Sequence, residues 1–337
     1  MAEVVLTGVS KAFGANRAVS DISMTIPDGA FVVLLGPTGA GKTTTLRLIA
    51  GLATPDAGDI AIAGRSVMRD TPAERNVAMV FQQYSLYPHL TVRENLAFPL
   101  KSPLINAPAD EIERRIAEVG AVLQISHKLG NRATALSGGE MQRVAIGRAL
   151  VRKPQLFLMD EPLSSLDAKL RADMRVELKR IQSDLGATLL YVTHDQVEAM
   201  TMATHVGVLD QGRLVQFGSP REIYEDPASL YVATRLGQPR INTLPAGLLP
   251  CAGQPAAAAT IGARTEHLDI RPAANGEANG RIDRIEHLGD QNHLHITCGD
   301  RRIVSLSEPN SPFENGEPVR VELVSPLFFD AGGDRIT

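Results

Sequence analysis

Eight residues, Gly36 to Thr43 (GPTGAGKT), carry the first sign of chemistry, because they fit the spacing G-x-x-x-x-G-K-[ST]. With glycines at Gly36, Gly39 and Gly41, consecutive backbone N–H groups can wrap phosphate oxygens while the Lys42 ammonium reaches the terminal phosphates. Thr38, Thr44 and the loop amides complete a cradle for the remaining oxygens. The Thr43 hydroxyl reads as a ligand for Mg²⁺ or as a helix N-cap, and the two roles are compatible. Further along, the apolar run LFLM ends in Asp160 and Glu161. A carboxylate at a strand end can reach Mg²⁺ through water, which assigns Asp160 to the metal. Its neighbour Glu161 is then placed to polarise an attacking water as general base, the alternative being a solvated charge at the strand end. His194 follows the strand-like TLLYVT and could be an ordinary hydrogen-bonded histidine; its order after Asp160 favours a contact to the γ-phosphate as a positioning group. Phe13, at the end of the first strand, reads as a stacking surface for adenine, with core packing as the alternative.

These groups need a scaffold that gathers strand ends. Short apolar runs at 31–35, 77–81, 156–160, 188–193 and 206–209 alternate with longer helical patterns, which predicts a mostly parallel sheet covered on both faces. Phe31 to Leu35 leads directly into the glycine loop, and TTTLRLIAG follows it, so a strand turns into a helix whose N-terminus faces the anion. Residues 3–13 and 59–63 read as an antiparallel edge around the nucleotide. After Pro108, Ile112, Ile116, Val119 and Leu123 recur at helical spacing, and residues of about 85–150 are read as a helical subdomain.

After about residue 235 the texture changes: a Gly-, Pro- and Ala-rich stretch suits a linker and loops. The short segments RIDRIEHLG, NHLHITC, RRIVSLS and PVRVELV then read as strands of a small β-barrel. The expected division is 1–235 for a nucleotide-binding domain and 236–337 for the barrel.

The stretch LSGGE, from Leu136 to Glu140, narrows the nucleotide chemistry further. Together with the glycine loop, Gln82 in VFQQYSLYPH, LFLMDEP at 156–162, SSLD at 164–167 and His194 in YVTHD, it resembles the ATP-binding subunits of ABC transporters. The likeness covers residues 1 to about 235, and the wording around Tyr84 to Leu90 looks most like the maltose-type sugar-importer branch. The resemblance implies an α/β P-loop NTPase, with a RecA-like core, an antiparallel β edge and a helical subdomain, followed by a small OB-like β-barrel of regulatory type. GARTEHLDIRP is similar to that barrel's R-P-E-H-L wording, with Thr265 in place of proline.

The resemblance also implies roles. Gln82 would lie between Mg²⁺ or the attacking water and a transmembrane partner. Ser137, Gly138 and Gly139 would serve the nucleotide of a second copy, so that two chains, head to tail, enclose two ATP molecules. Asp167 would line that interface, although an N-cap before AKLRADMRVELKR is an equally good local reading. Most family members carry Gln at the position of Glu140. Here Ser137-x-x-Glu140 fits a capping box, and a carboxylate folded back on the Ser137 amide would avoid repelling a phosphate. Ala40 stands where relatives often have cysteine, so the loop should resist thiol reagents. The further partners implied are two permease subunits and, through them, an extracytoplasmic solute-binding protein, with this chain peripheral to the cytoplasmic face of the inner membrane.

Composition bounds the alternatives. Lys plus Arg number 34 against 38 Asp plus Glu, for a net charge of -4, so no basic excess points to nucleic acid as a main partner. Two cysteines cannot staple 337 residues and fit a reducing cytosol. No basic-then-apolar leader opens the sequence, and no apolar run approaches the roughly 18 residues of a membrane helix. His287, His293, His295 and Cys298 could form a zinc site, with His293 and His295 on one face of a strand, but no Cys-x-x-Cys or companion ligand pair supports it, and surface histidines on a barrel are the favoured reading. The expected function is ATP hydrolysis for import of a sugar, sugar derivative or polyol, with glycerol-phosphate or polyamine import as the alternative. A soluble ABC ATPase acting on nucleic acid or ribosomes is disfavoured by the single ATPase unit and the lack of a heptad run. A P-loop small-molecule kinase leaves the LSGGE stretch unexplained.

Overall fold

The computed structural model describes residues 2–103, 105–273 and 276–336. It divides into two compact units, Met1–Pro220 and Arg221–Thr337. The change in sequence texture near residue 235 falls inside the second unit.

The first unit is built on two sheets. One has the order β2-β1-β4-β5, with β1 (Val4–Phe13), β2 (Asn16–Ile26), β4 (Ala57–Ile62) and β5 (Arg65–Ser66), all antiparallel. The other has the order β10-β9-β3-β8-β7-β6, formed by β3 (Phe31–Leu35), β6 (Val77–Val80), β7 (Leu156–Asp160), β8 (Leu189–Thr193), β9 (His205–Asp210) and β10 (Arg213–Gly218). Only β10 runs antiparallel to its neighbour. Every residue of β3 and β8 is buried, as expected of strands covered on both faces. The expected strand at 77–81 stops at Val80, and Phe81 is exposed. Strand β2 lies outside the strands read from the sequence: its first half is irregular in burial, only DISMTI alternates polar with apolar, and three register shifts against β1 break the period.

Among the described residues six α-helices serve this unit: α1 (Lys42–Ile49), α2 (Val92–Ala97), α3 (Ala109–Val122), α4 (Gly138–Leu150), α5 (Ala168–Leu185) and α6 (Gln196–Met202). Helix α3 opens after Pro108 with Asp110 and Glu111 in its first turn, and buries Ile112, Ile116 and Gly120. In α4, Gly147 is needed for close approach, because a Cβ there would lie 2.8 Å from Leu96 Cδ2 and 2.9 Å from Leu123 Cδ1. Among the described residues no helix is long and apolar enough to cross a membrane.

Among the described residues the second unit carries two short α-helices, α7 (Pro220–Glu225) and α8 (Leu230–Ala233), and two antiparallel sheets. One is ordered β11-β12-β18-β19, from β11 (Asn242–Pro245), β12 (Thr260–Ala263), β18 (Leu327–Phe329) and β19 (Arg335–Ile336). The other is ordered β13-β17-β14-β15-β16, from β13 (Leu268–Pro272), β14 (Gly280–His287), β15 (Asn292–Cys298), β16 (Arg301–Ser307) and β17 (Pro318–Leu323). The stretch expected to be linker and loops thus holds β11 and β12. Asn242 explains why: its buried amide donates to the carbonyls of Ala263 (3.1 Å) and Val304 (2.9 Å) and accepts from the Val304 N–H (2.7 Å). A polar residue that satisfies its neighbours' backbone reads as loop when only hydrophobicity is counted. Cys298 packs in the core of this unit, where burial pushes its thiol up to about 11. His293 and His295 point the opposite way along β15, on either side of Glu286, with His295 Nε2 3.2 Å from its Oε2. The zinc grouping weighed above is not formed among the described residues.

Arg264 anchors α7 and α8 to the sheets of this unit. Its buried guanidinium donates to the carbonyls of Ala233 (3.1 Å), Leu236 and Tyr224 (2.9 Å), and stacks 3.9 Å above the Tyr224 ring. Each of these carbonyls ends a helix or a turn and loses its partner if the cation goes. Replacing Arg264 by Met should lower the unfolding free energy of this unit by about 3 kcal/mol, seen as a drop in its urea midpoint. An unchanged midpoint would contradict this account of the anchor.

Candidate functional site

At the C-terminal edge of β3 the chain turns so tightly that glycine is required at two positions. A Cβ on Gly36 would fall 2.6 Å from the Leu209 carbonyl oxygen, and one on Gly41 2.4 Å from the Ala18 carbonyl oxygen, with Gly41 at φ 97°. The loop so formed delivers Lys42 as the first residue of α1. The Lys42 side chain is 5% exposed, and its ammonium donates to the carbonyls of Gly36 (2.9 Å) and Pro37 (3.1 Å) and lies 3.8 Å from Glu161 Oε1. Burial lowers the pKa of Lys42, while Glu161 and Asp160 oppose that shift.

Strands β7 and β8 are adjacent and parallel, so their ends bring Asp160 and Glu161 beside the loop; His194 reaches Glu161 but lines a separate, smaller hollow with Ser164, Arg171 and Asp195. Thr43 Oγ1 donates to Asp160 Oδ1 at 2.8 Å. Burial pushes the Asp160 carboxyl up, against the lowering effect of the Thr43 hydroxyl and with a further push from Glu161. Glu161 adopts φ 44°, a left-handed backbone rare for a non-glycine residue, and its N–H donates to the Val192 carbonyl. That turn sets its carboxylate between Lys42 on one side and His194 on the other, whose Nδ1 is 3.2 Å from Glu161 Oε2. Gln82 donates to Ser164 Oγ (3.2 Å), and Ser164 donates to the Glu161 carbonyl (2.8 Å).

A cleft of about 500 Å³ runs past these groups, from Phe13 at the β1–β2 turn, along Thr38, Gly39, Gly41, Lys42, Thr43 and Thr44, to Gln82, Asp160 and Glu161. Phe13 is 55% exposed, with its ring available for stacking. Asn16 and Ala18 also line the cleft and were not foreseen. Nothing in a hairpin turn marks Asn16, whereas the demand for glycine at 41 depends on the Ala18 carbonyl above it. The hydroxyl of Thr43, the carboxylate of Asp160 and the amide oxygen of Gln82 are hard oxygen donors of the kind Mg²⁺ takes, and a cation there would offset the burial of the Asp160 charge.

Ser137, Gly138, Gly139 and Asp167 are not part of this cleft. Ser137 caps α4 and Asp167 caps α5, each accepting a backbone N–H of its own helix. Glu140 closes the capping box: Oε2 accepts the Ser137 N–H at 2.9 Å, and Oε1 is 3.0 Å from Lys128 Nζ. The Ser137 amide, followed by the Lys128 ammonium, lowers the Glu140 pKa. Lys128, distant in sequence, carried no signal of this pairing.

The pKa of Asp160 gives a signed expectation. A carboxyl raised in the folded state favours folding only while protonated, so at pH 7 its charge destabilises the ligand-free fold, and the effect vanishes below its ordinary value of 3.8. Asp160→Asn should therefore melt at a higher temperature than the parent at pH 7 and at the same temperature near pH 3, by scanning fluorimetry. A lower melting temperature at pH 7 would refute the burial argument. Glu140→Gln retains the capping box and should change ATP turnover by less than about threefold; a large gain in rate would show that the carboxylate acts at the nucleotide instead.

Comparison with known proteins gives a consistent result. A model of the ABC transporter family matches residues 19–164, and a TOBE domain model matches residues 261–325. An sn-glycerol-3-phosphate import ATP-binding protein of Brucella abortus is 48% identical, with both chains covered in full. A lactose transport ATP-binding protein of Rhizobium radiobacter is 41% identical, again over all of both chains. The solved structure of a dimeric bacterial ABC transporter cassette is 29% identical with a TM-score of 0.57, covering 65% of this chain and 99% of that one.

Proposed function

This chain belongs to the ABC transporter ATP-binding proteins of the sugar-importer type, and from that premise we propose how its site hydrolyses ATP and what it drives. It is the ATP-hydrolysing subunit of an importer of a sugar, sugar derivative or polyol, as the lactose transport relative supports, with glycerol phosphate, the cargo named for the Brucella relative, as the alternative. Lys42 exchanges its two loop carbonyls for the β- and γ-phosphates, and the loop amides from Thr38 to Thr44 hold the remaining oxygens. Thr43, Asp160 and Gln82 hold Mg²⁺, which neutralises charge on the phosphates when bound. Glu161 accepts the proton of the attacking water. His194, its Nδ1 held 3.2 Å from Glu161 Oε2, contacts the γ-phosphate as a positioning group once nucleotide is bound. The observation that carries this assignment is the Glu161 carboxylate held between Lys42 and His194 at one end of the cleft.

The catalytic unit is two copies, head to tail. Supporting this is the separation of the signature turn from the cleft of its own chain: Ser137, Gly138 and Gly139 complete the partner's nucleotide site, with Asp167 between the two. Nucleotide binding closes the pair and hydrolysis opens it, an alternation that two permease subunits convert into alternating access, with a solute-binding protein delivering cargo outside. The chain works at the cytoplasmic face of the membrane as a peripheral subunit.

Glu161→Gln leaves the phosphate-binding groups in place while removing the base. It should lower ATP turnover by at least about 100-fold and elute as a dimer only with Mg-ATP in size-exclusion chromatography. A variant that stays monomeric at saturating Mg-ATP, with or without its permeases, would overturn the two-copy mechanism.

A further inference from the structure

Two loops that serve different nucleotides in the proposed dimer meet inside a single chain. Gln82 and Glu161 belong to the chain's own site, while Ser137 to Gly139 belong to the partner's. The SSLD segment lies between them. A Cβ on Gly139 would be 2.7 Å from Leu170 Cδ2, and one on Gly138 would be 3.6 Å from Leu166 Cδ2 and 3.7 Å from the Tyr84 hydroxyl. The signature turn is therefore packed directly against SSLD and the first turn of α5, with Tyr84 at the seam.

From the other side, the same SSLD segment is tied to the catalytic end. Ser164 receives Gln82 and donates to the Glu161 carbonyl. The next serine, Ser165, bonds the Tyr84 hydroxyl at 2.8 Å. Tyr84 and Ser85 both adopt left-handed backbone, at φ 42° and 51°, a costly conformation for two consecutive non-glycine residues. What offsets it is side-chain bonding at both ends: Tyr84 to Ser165, and Arg148 of α4 to the Ser85 carbonyl at 2.6 Å. Arg148 also lies over the Tyr87 ring, 5.4 Å from its centroid. A strained turn held by a few polar bonds is the kind of element that has a second, relaxed arrangement available.

We propose that Tyr84 is a positioning residue that couples the two nucleotide sites, its hydroxyl latching the Gln82 loop to Ser165 so that the site a chain hydrolyses with and the turn it offers its partner move together. The proposal rests on the head-to-tail reading above. Tyr84 does not line the nucleotide cleft, so its effect is on cooperativity and turnover and not on the affinity of a single site. Breaking the latch lets the Gln82 loop relax while the signature turn stays packed on Leu166 and Leu170. Coupling between sites requires a physical element that both sites bias, and this seam supplies one.

The test uses the full-length chain and ATP titrations of its hydrolysis rate, with the Hill coefficient and kcat/KM read separately. The parent should show a coefficient above 1 and at most 2 for two sites. Tyr84→Phe, which removes only the hydroxyl, should bring the coefficient to about 1 and lower kcat about fivefold with little change in KM. Ser165→Ala should do the same, the double variant should be no worse than either single one, and Ser165→Thr should restore both readouts. An unchanged coefficient in Tyr84→Phe, multiplicative losses in the double variant, or a parent coefficient of 1 would each overturn the proposal. ATP-driven dimerisation, measured with Tyr84→Phe placed in the Glu161→Gln background, separates the outcomes. A dimer that forms normally while cooperativity is untouched defeats the latch alone, whereas no dimer for Glu161→Gln itself defeats the reading beneath it.

Discussion

Lys42 is a buried cation whose nearest opposite charge is 3.8 Å away, and the first unit is organised around keeping it there. Burial costs the ammonium solvation, and the two loop carbonyls and the nearby carboxylates of Glu161 and Asp160 restore part of it. Asp160 sits on the other side of the same balance, its carboxyl pushed up by burial and held by one hydroxyl. Neither group would tolerate the position on a flexible scaffold. They are fixed because the loop leaves β3 between the Leu209 and Ala18 carbonyls with no room for a side chain at Gly36 or Gly41, and because β7 and β8 end side by side. A site built this way is poised for an anion and a cation together, since each relieves the strain on the group that receives it.

How much of this could be read beforehand follows from where the information lies along the chain. The phosphate loop, Asp160, Glu161 and His194 were legible because local spacing and the end of an apolar run carry their geometry. Glu140 was legible as a cap because a capping box is closed within four residues. Asn16 and Lys128 were not, and Ser164 was legible only as part of SSLD and not as the partner of Gln82, because these contacts form only when folding brings distant segments together. Strands fared likewise. Fully buried β3 and β8 read as unbroken apolar runs, whereas β2, with its bulges, and β11, with its inward-facing Asn242, hid behind polar residues that the fold satisfies.

The second unit shows a related point about departures from family wording. Thr265, standing where the resemblance expects proline, is buried; its hydroxyl donates to Glu266 at 3.0 Å, and its carbonyl accepts from Ser305 at 3.4 Å. The flanking Arg264 keeps its three carbonyl contacts. The position thus accepts a residue with a backbone N–H and a hydroxyl without disturbing the anchor that ties α7 and α8 to the sheets.

The placement of its thiols leaves this chain open to site-specific labelling. Cys298 is sealed in the core and raised to about 11, Cys251 is half-buried, and the loop position that could have carried a reactive sulfur is Ala40. Removing Cys251 alone would leave a background nearly silent to maleimide dyes at neutral pH. Fluorophores or spin labels could then be attached one at a time at chosen surface positions, letting the opening and closing of the nucleotide machine be followed optically with its catalytic chemistry left intact.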